Sequence, residues 1–137
     1  MPTTVAIVDD HHLFREALVA LVQKVDGYEV LYEAKNGRDL LVQIQYRSQA
    51  PDLALVDLHM PEMDGFETTI QLRHLYPVVR VLIVTISDLK EDIVKAVRAG
   101  AHGYVVKGLS PNEIQQAMNE LMITGYYFPS LPNANGT

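Results

Sequence analysis

The stretch LALVDLHMPEMDG, Leu53 to Gly65, opens with four apolar residues that read as a buried strand and sets Asp57 directly behind them. A carboxylate at the end of such a strand must be paired, ligated or wet, because an isolated charge is costly to bury. Met60-Pro61 turns the chain away without continuing the strand, and Asp64-Gly65 reads as the turn into a helix. What else the chain delivers beside Asp57 decides what that carboxylate is for.

Five strand-like runs alternate with five helix-like segments. TVAIVD at 4–9, LALVDL at 53–58 and RVLIVTI at 80–86 are nearly continuous in apolarity, as strands covered on both faces are. YEVLYEA at 28–34 carries Glu29 and Glu33, and GYVVK at 103–107 is short, so both fit sheet edges. The first helix is expected to bury Leu13, Ala17, Ala20 and Leu21, and the last one Ile114, Ala117, Met118, Leu121 and Met122. The middle helices fall at about 37–48, 65–75 and 88–99. Ser110, Pro111 and Glu113 make an N-terminal signal for the last helix, while Gly100 and Gly125 read as stops. Alternation at this spacing implies parallel crossovers and an α/β sheet with helices on both sides. Ligands of such sheets gather at the carboxyl ends of the strands.

The 137 residues are enough for one domain, placed at 1–125, with the Pro- and Asn-rich residues 126–137 as a linker or disordered end. Apolar residues are 48% and charged residues 20%, within the range of globular chains. The absence of cysteine excludes disulfides, thiolate zinc sites and cysteine nucleophiles. A net charge of −6 without a basic run argues against nucleic-acid binding by this stretch itself. Apolar runs are too short to span a bilayer and no leader opens the chain, so the expected location is cytoplasmic, with no membrane partner.

In a parallel sheet, the carboxyl ends collect Asp9 and Asp10 after strand one, Asp57, Thr85 on strand four and Lys107 on strand five. Two unit charges about 4 Å apart repel by about 4 kcal/mol at an effective dielectric near 20, so clustered carboxylates attract a cation. Mg2+ suits oxygen ligands and is often held by one or two carboxylates plus a phosphate. Three carboxylates, one Mg2+ and Lys107 balance in charge, which leaves room for a phosphoryl group. Asp57 is the candidate acceptor through an aspartyl phosphate, Lys107 a point charge for a phosphoryl oxygen, and the Thr85 hydroxyl a donor to another.

Bland readings exist for each residue alone. Asp9 or Asp10 could be an N-cap, Thr85 a β-former, and Lys107 a solvated charge. His11, His12 and His59 lie near the same ends and raise the alternative of a histidine-ligated metal, although adjacent histidines point in different directions.

Taken together, VDDH, DLHMPEMDG, VTIS and AGAHGYVVKG resemble, in order and spacing, the receiver domain of bacterial two-component response regulators, over about Thr4 to Gly125. The resemblance implies a flavodoxin-like (βα)5 three-layer sandwich with a five-stranded parallel sheet in the order 2-1-3-4-5. It also implies that Asp57 is the phosphoacceptor and that Asp10, Asp57 and the backbone carbonyl of His59 ligate Mg2+, with Asp9 acting through a metal-bound water. Thr85 and Tyr104 would form a switch pair, with Lys107 as the phosphoryl-binding lysine. The expected partner is a sensor histidine kinase, and the chain is expected to be a switch rather than an enzyme. DDHHLFREAL and KGLSPNEIQQAM are similar to receivers that carry a C-terminal helix-turn-helix domain, the nitrate-response and quorum-sensing type. DNA would then be reached only through such a further domain. The alternative is a stand-alone receiver acting by protein contact or in a phosphorelay.

An acyl phosphate on Asp57 would make the pocket net negative and draw Thr85 toward the new oxygens. Space behind Thr85 would let Tyr104 turn from outside to inside, and residues of about 88–124 would present a new face, with a homodimer as the expected readout. A flavin or nucleotide binder would instead need a Gly-, Ser- or Thr-rich loop after strand one, where DDHHLF stands. A haloacid dehalogenase-like phosphatase would need a second aspartate where His59 stands.

Overall fold

In the computed structural model, residues 1–108 and 111–129 are described. Five strands, β1 (Thr3–Val8), β2 (Tyr28–Ala34), β3 (Leu53–Val56), β4 (Arg80–Thr85) and β5 (Gly103–Val106), alternate with five helices. These are α1 (His12–Gln23), α2 (Gly37–Arg47), α3 (Gly65–Leu75), α4 (Lys90–Ala99) and α5 (Pro111–Thr124). All strand pairs are parallel and the sheet order is β2-β1-β3-β4-β5. This is the expected (βα)5 sandwich, with β2 and β5 at the edges.

Strand alternation divides the core into two layers. Val5, Ile7, Leu53, Leu55, Leu82, Val84 and Val105 pack with Leu18 and Val22 of α1 and Ile114, Ala117, Met118 and Leu121 of α5. Ala6, Val8, Ala54, Val56, Val81, Ile83 and Tyr104 pack on the other face, with residues of α2, α3 and α4. Among the described residues, no helix is long and apolar enough to cross a membrane.

The face of α1 differs from the expected one. Leu13 is 73% exposed, and Ala17 and Ala20 are exposed too, whereas Leu18 and Val22 are buried with Phe14 and Leu21 against them. Two interleaved apolar rows run along this helix, and the row with the bulkier side chains, Phe14, Leu18 and Val22 at i, i+4 and i+8, won the sheet. The expected α5 stripe does face the core. Gly100 and Gly125 end α4 and α5 at positive φ, as expected. The Ser110 cap lies outside the described residues. Strands β1, β3, β4 and β5 end a residue or two before the expected limits, and α4 starts at Lys90.

The chain after Gly125 returns to the sheet. Tyr127 forms a parallel bridge with Gly103: its amide donates to the His102 carbonyl (3.0 Å), and its carbonyl accepts from the Tyr104 amide (2.9 Å). Tyr127 and Phe128 pack against opposite core layers, as neighbouring residues of a strand do. A Cβ on Gly103 would lie 2.8 Å from the Tyr127 carbonyl and 2.7 Å from Leu82, so glycine is needed for this approach. The segment expected as a linker thus starts, over residues 126–128, as part of the packed body.

Candidate functional site

The carboxyl ends of β1, β3 and β5 are held one residue past the strands by their own ladder bonds. The Asp57 amide donates to the Val8 carbonyl (3.0 Å), the Asp9 amide to Ala34 (3.0 Å) and the Lys107 amide to Thr85 (2.6 Å). Asp9 continues the alternation of Val5 and Ile7, Asp57 that of Leu53 and Leu55, and Lys107 that of Val105. All three therefore belong to the α1/α5 side of the sheet. Thr85 and Tyr104 continue the rows facing α4.

Carboxylate oxygens of Asp9, Asp10 and Asp57 lie within 4.8 Å of one another, with Asp9 and Asp57 buried and Asp10 exposed. The Lys107 ammonium stands 2.8 Å from Asp9 Oδ2 and 3.4 Å from Asp57 Oδ2. Asp57 Oδ1 accepts from the Leu58 amide (2.9 Å), and Asp9 Oδ1 from the His11 amide (2.8 Å). Burial, and then the Asp9 charge, push the Asp57 carboxyl above the usual carboxylate range, while Lys107, the Thr85 hydroxyl and the Leu58 amide pull the other way. The cluster is a hard, oxygen-only donor set with one buried edge and one open edge, which could bind a metal ion of the Mg2+ kind.

The histidines do not complete a nitrogen site. His12 Nε2 lies 3.1 Å from Glu16, and its Nδ1 faces Arg15 Nη2 (3.1 Å). His11 and His59 have exposed side chains, and neither joins the carboxylate cluster. Asp64 is the N-cap of α3, accepting from the Glu67 amide (2.8 Å), which matches its expected structural role.

The Thr85 hydroxyl is fully buried beside the Asp57 carboxyl, whose pKa it helps to lower, but no hydrogen bond of good geometry satisfies it. The Tyr104 phenol lies inside, 0% exposed, and its hydroxyl donates to the Ser87 carbonyl (2.8 Å). Ser87 Oγ in turn donates to Asp92 in the first turn of α4 (2.5 Å). The β4–α4 loop supplies the acceptor for the hydroxyl in this inward seat. Gly65 begins α3 so close to the acidic loop that a Cβ would stand 2.2 Å from the Asp57 carbonyl. Two contacts lay beyond sequence reasoning: Phe14, whose ring centroid is 4.2 Å from Lys107 Nζ, and Arg15, whose Nη1 donates to the Asp9 carbonyl (2.6 Å). Phe14 belongs to the i, i+4, i+8 row with Leu18 and Val22, and that row was the available signal.

A five-stranded parallel sheet in this order, with carboxylates and a lysine converging at one edge, defines a phosphoacceptor-type signalling domain. The family model described as "Response regulator receiver domain" matches residues 5–119, and the chain belongs to this family. It is 34% identical over 119 residues to the nitrate/nitrite response regulator protein NarL of Escherichia coli K12, covering 87% of this chain and 54% of NarL. It is 31% identical over 121 residues to the chemotaxis protein CheY of Thermotoga maritima, covering 88% of this chain and 98% of CheY. Its fold matches the signal receiver domain of the response regulator NarL from Mycobacterium tuberculosis with a TM-score of 0.82 at 31% identity, over 90% of this chain and 98% of that one. The chain spans about half the length of NarL and of the similar regulators DegU and GacA.

Proposed function

We propose that Asp57 accepts a phosphoryl group from a sensor histidine kinase, with Mg2+ in the pocket, and that the acyl phosphate controls a downstream output. The observation that carries this reading is the convergence of three carboxylates within 4.8 Å of one another beside the Lys107 ammonium. An Asp57 carboxylate oxygen bonds to phosphorus as the bond from phosphorus to the donor breaks, and the donor leaves with that electron pair. Mg2+ held by Asp10, Asp57 and the His59 carbonyl, with Asp9 reaching it through water, would supply charge neutralisation on the phosphoryl oxygens. Lys107 moves from Asp57 Oδ2 to a phosphoryl oxygen, and the Thr85 hydroxyl, poorly paired beside Asp57, gains a better-placed acceptor. A well-formed hydrogen bond contributes about 0.5–1.5 kcal/mol, so this new bond favours the phosphorylated arrangement.

Thr85 and Tyr104 face α4, whereas the acidic pocket lies on the α1/α5 side. A shift of Thr85 therefore carries the event across the sheet. Tyr104 stays seated on Ser87, and the Ser87–Asp92 bond passes the change to α4. The populated face of α4, β5 and α5 is then the surface for a homodimer or a further domain, the latter a helix-turn-helix module of the NarL type. Residues 1–128 would form the receiver and the following residues the connection, in a cytoplasmic regulator that is a switch and not an enzyme. Intact mass after incubation with acetyl phosphate, with and without Mg2+, tests the central step. A single Mg2+-dependent phosphate adduct is expected in the wild type and none in Asp57→Ala; an adduct that persists in the variant overturns the assignment.

A further inference from the structure

We propose that Phe14 is a positioning residue for Lys107, holding the ammonium over the pocket with the face of its ring; this rests on the reading of Lys107 as the phosphoryl-binding lysine.

A lysine ammonium has three donors on a flexible four-carbon stem. Two directions around Lys107 Nζ are taken by Asp9 Oδ2 (2.8 Å) and Asp57 Oδ2 (3.4 Å), and the Phe14 ring stands 4.2 Å away. The side chain is only 10% exposed. Without the ring, the stem could swing the ammonium out to water on the α1/α5 side.

Phe14 itself is fixed from two directions. Its row on α1 packs with Leu18 and Val22 against the sheet. One residue on, Arg15 ties the first turn of α1 to the Asp9 carbonyl (2.6 Å), so the ring is anchored to the loop that carries the acidic pair. An aromatic face also suits the chemistry. It attracts a cation without adding a fourth negative charge to a pocket that must admit a phosphoryl group. Its attraction has little directionality, so the ammonium can slide from Asp57 Oδ2 to a phosphoryl oxygen while remaining under the ring.

The test follows the rate of phosphate adduct formation on Asp57 with acetyl phosphate and Mg2+, by intact mass, in the full chain. Phe14→Leu keeps an apolar side chain and removes the ring face; it should slow the reaction about two- to thirtyfold, the range of a cation–π contact. Phe14→Tyr should restore the wild-type rate. In a Lys107→Met background, Phe14→Leu should change the rate by less than about twofold, the usual margin of additivity in such cycles. Equal slowing by Phe14→Leu in both backgrounds, no slowing in the wild-type background, or a Tyr variant as slow as the Leu variant each overturn the proposal. Phe14→Met gives a second apolar replacement should Phe14→Leu fail to reach a wild-type urea midpoint. Absence of any Mg2+-dependent adduct in the wild type, or an unchanged rate in Lys107→Met alone, would instead bring down the reading of the site on which this rests.

Discussion

The Lys107 ammonium lies closer to Asp9 Oδ2, at 2.8 Å, than to Asp57 Oδ2, at 3.4 Å. The lysine is therefore held chiefly by the carboxylate that does not accept the phosphoryl group, and it remains tethered when Asp57 changes. Removing one partner from a buried ion pair leaves the others uncompensated, at a cost of up to about 3–5 kcal/mol. Lys107→Met should lose stability of that order in urea unfolding with chelator present. Mg2+ should recover more stability in this variant than in the wild type, because the three carboxylates then have no other cation.

Asp57→Asn should behave oppositely. Burial and the Asp9 charge raise the Asp57 carboxyl above its ordinary value, so its charged form is disfavoured in the fold at neutral pH. Asparagine removes that charge while Asp9 still holds Lys107. The metal-free variant is expected to unfold at higher urea than the wild type, and to show a smaller stabilisation by Mg2+. A midpoint below the wild type's would contradict this.

His102 provides the pH dependence. Burial first, then Arg73 and Arg80, hold its imidazole below the ordinary 6.5. Its Nδ1 accepts from the Val81 amide (3.0 Å), a bond that the protonated ring cannot make. The unfolded chain takes up this proton at higher pH than the folded one does. The contribution is thus fully present above about 6.5, falls as pH drops through that value, and levels off below the folded value. His102→Asn should flatten the stability profile measured by urea unfolding as pH falls below about 6.5.

Gly65 keeps the acidic loop and α3 in contact. With its Cβ position 2.2 Å from the Asp57 carbonyl, Gly65→Ala forces backbone to move. A loss of about 1–3 kcal/mol is expected, as for other overpacked sites, together with slower phosphorylation of Asp57. Gly27→Ala offers a contrast: its strain comes from φ +90 with open space around it, so stability should fall while the phosphorylation rate holds.

Removal of residues 126–137 should expose the Tyr104 amide, whose acceptor is the Tyr127 carbonyl. Faster hydrogen exchange at that amide is the expected outcome, by mass spectrometry or NMR. Unchanged protection would mean that the bridge carries no stability.

The central places of β1, β3 and β4 and the meeting of Asp9, Asp10, Asp57 and Lys107 were legible because continuous apolar runs mark central strands and a parallel sheet gathers strand carboxyl ends at one edge, whereas the order 2-1-3-4-5 was implied by the resemblance to receiver domains. The buried face of α1 was not legible. Its two apolar rows have equal spacing, so periodicity alone does not choose between them, and the greater bulk of Phe14, Leu18 and Val22 against Val5 and Ile7 does. The inward seat of Tyr104 depends on a backbone carbonyl at Ser87, which no pattern of side chains announces. Tyr127 was hidden by the turn-forming residues around it, which made a single bridging residue read as tail.

The return of the chain to β5 bears on how this domain meets other proteins. A bare sheet edge is a template on which foreign strands can nucleate. At one edge, β2 presents Glu29 and Glu33, both exposed; at the other, Tyr127 has already taken the pairing groups of His102 and Tyr104. Merging of two sheets into one is disfavoured at both rims, by charge along β2 and by the Tyr127 bridge at the start of β5, which favours side-chain surfaces on the helices for assembly.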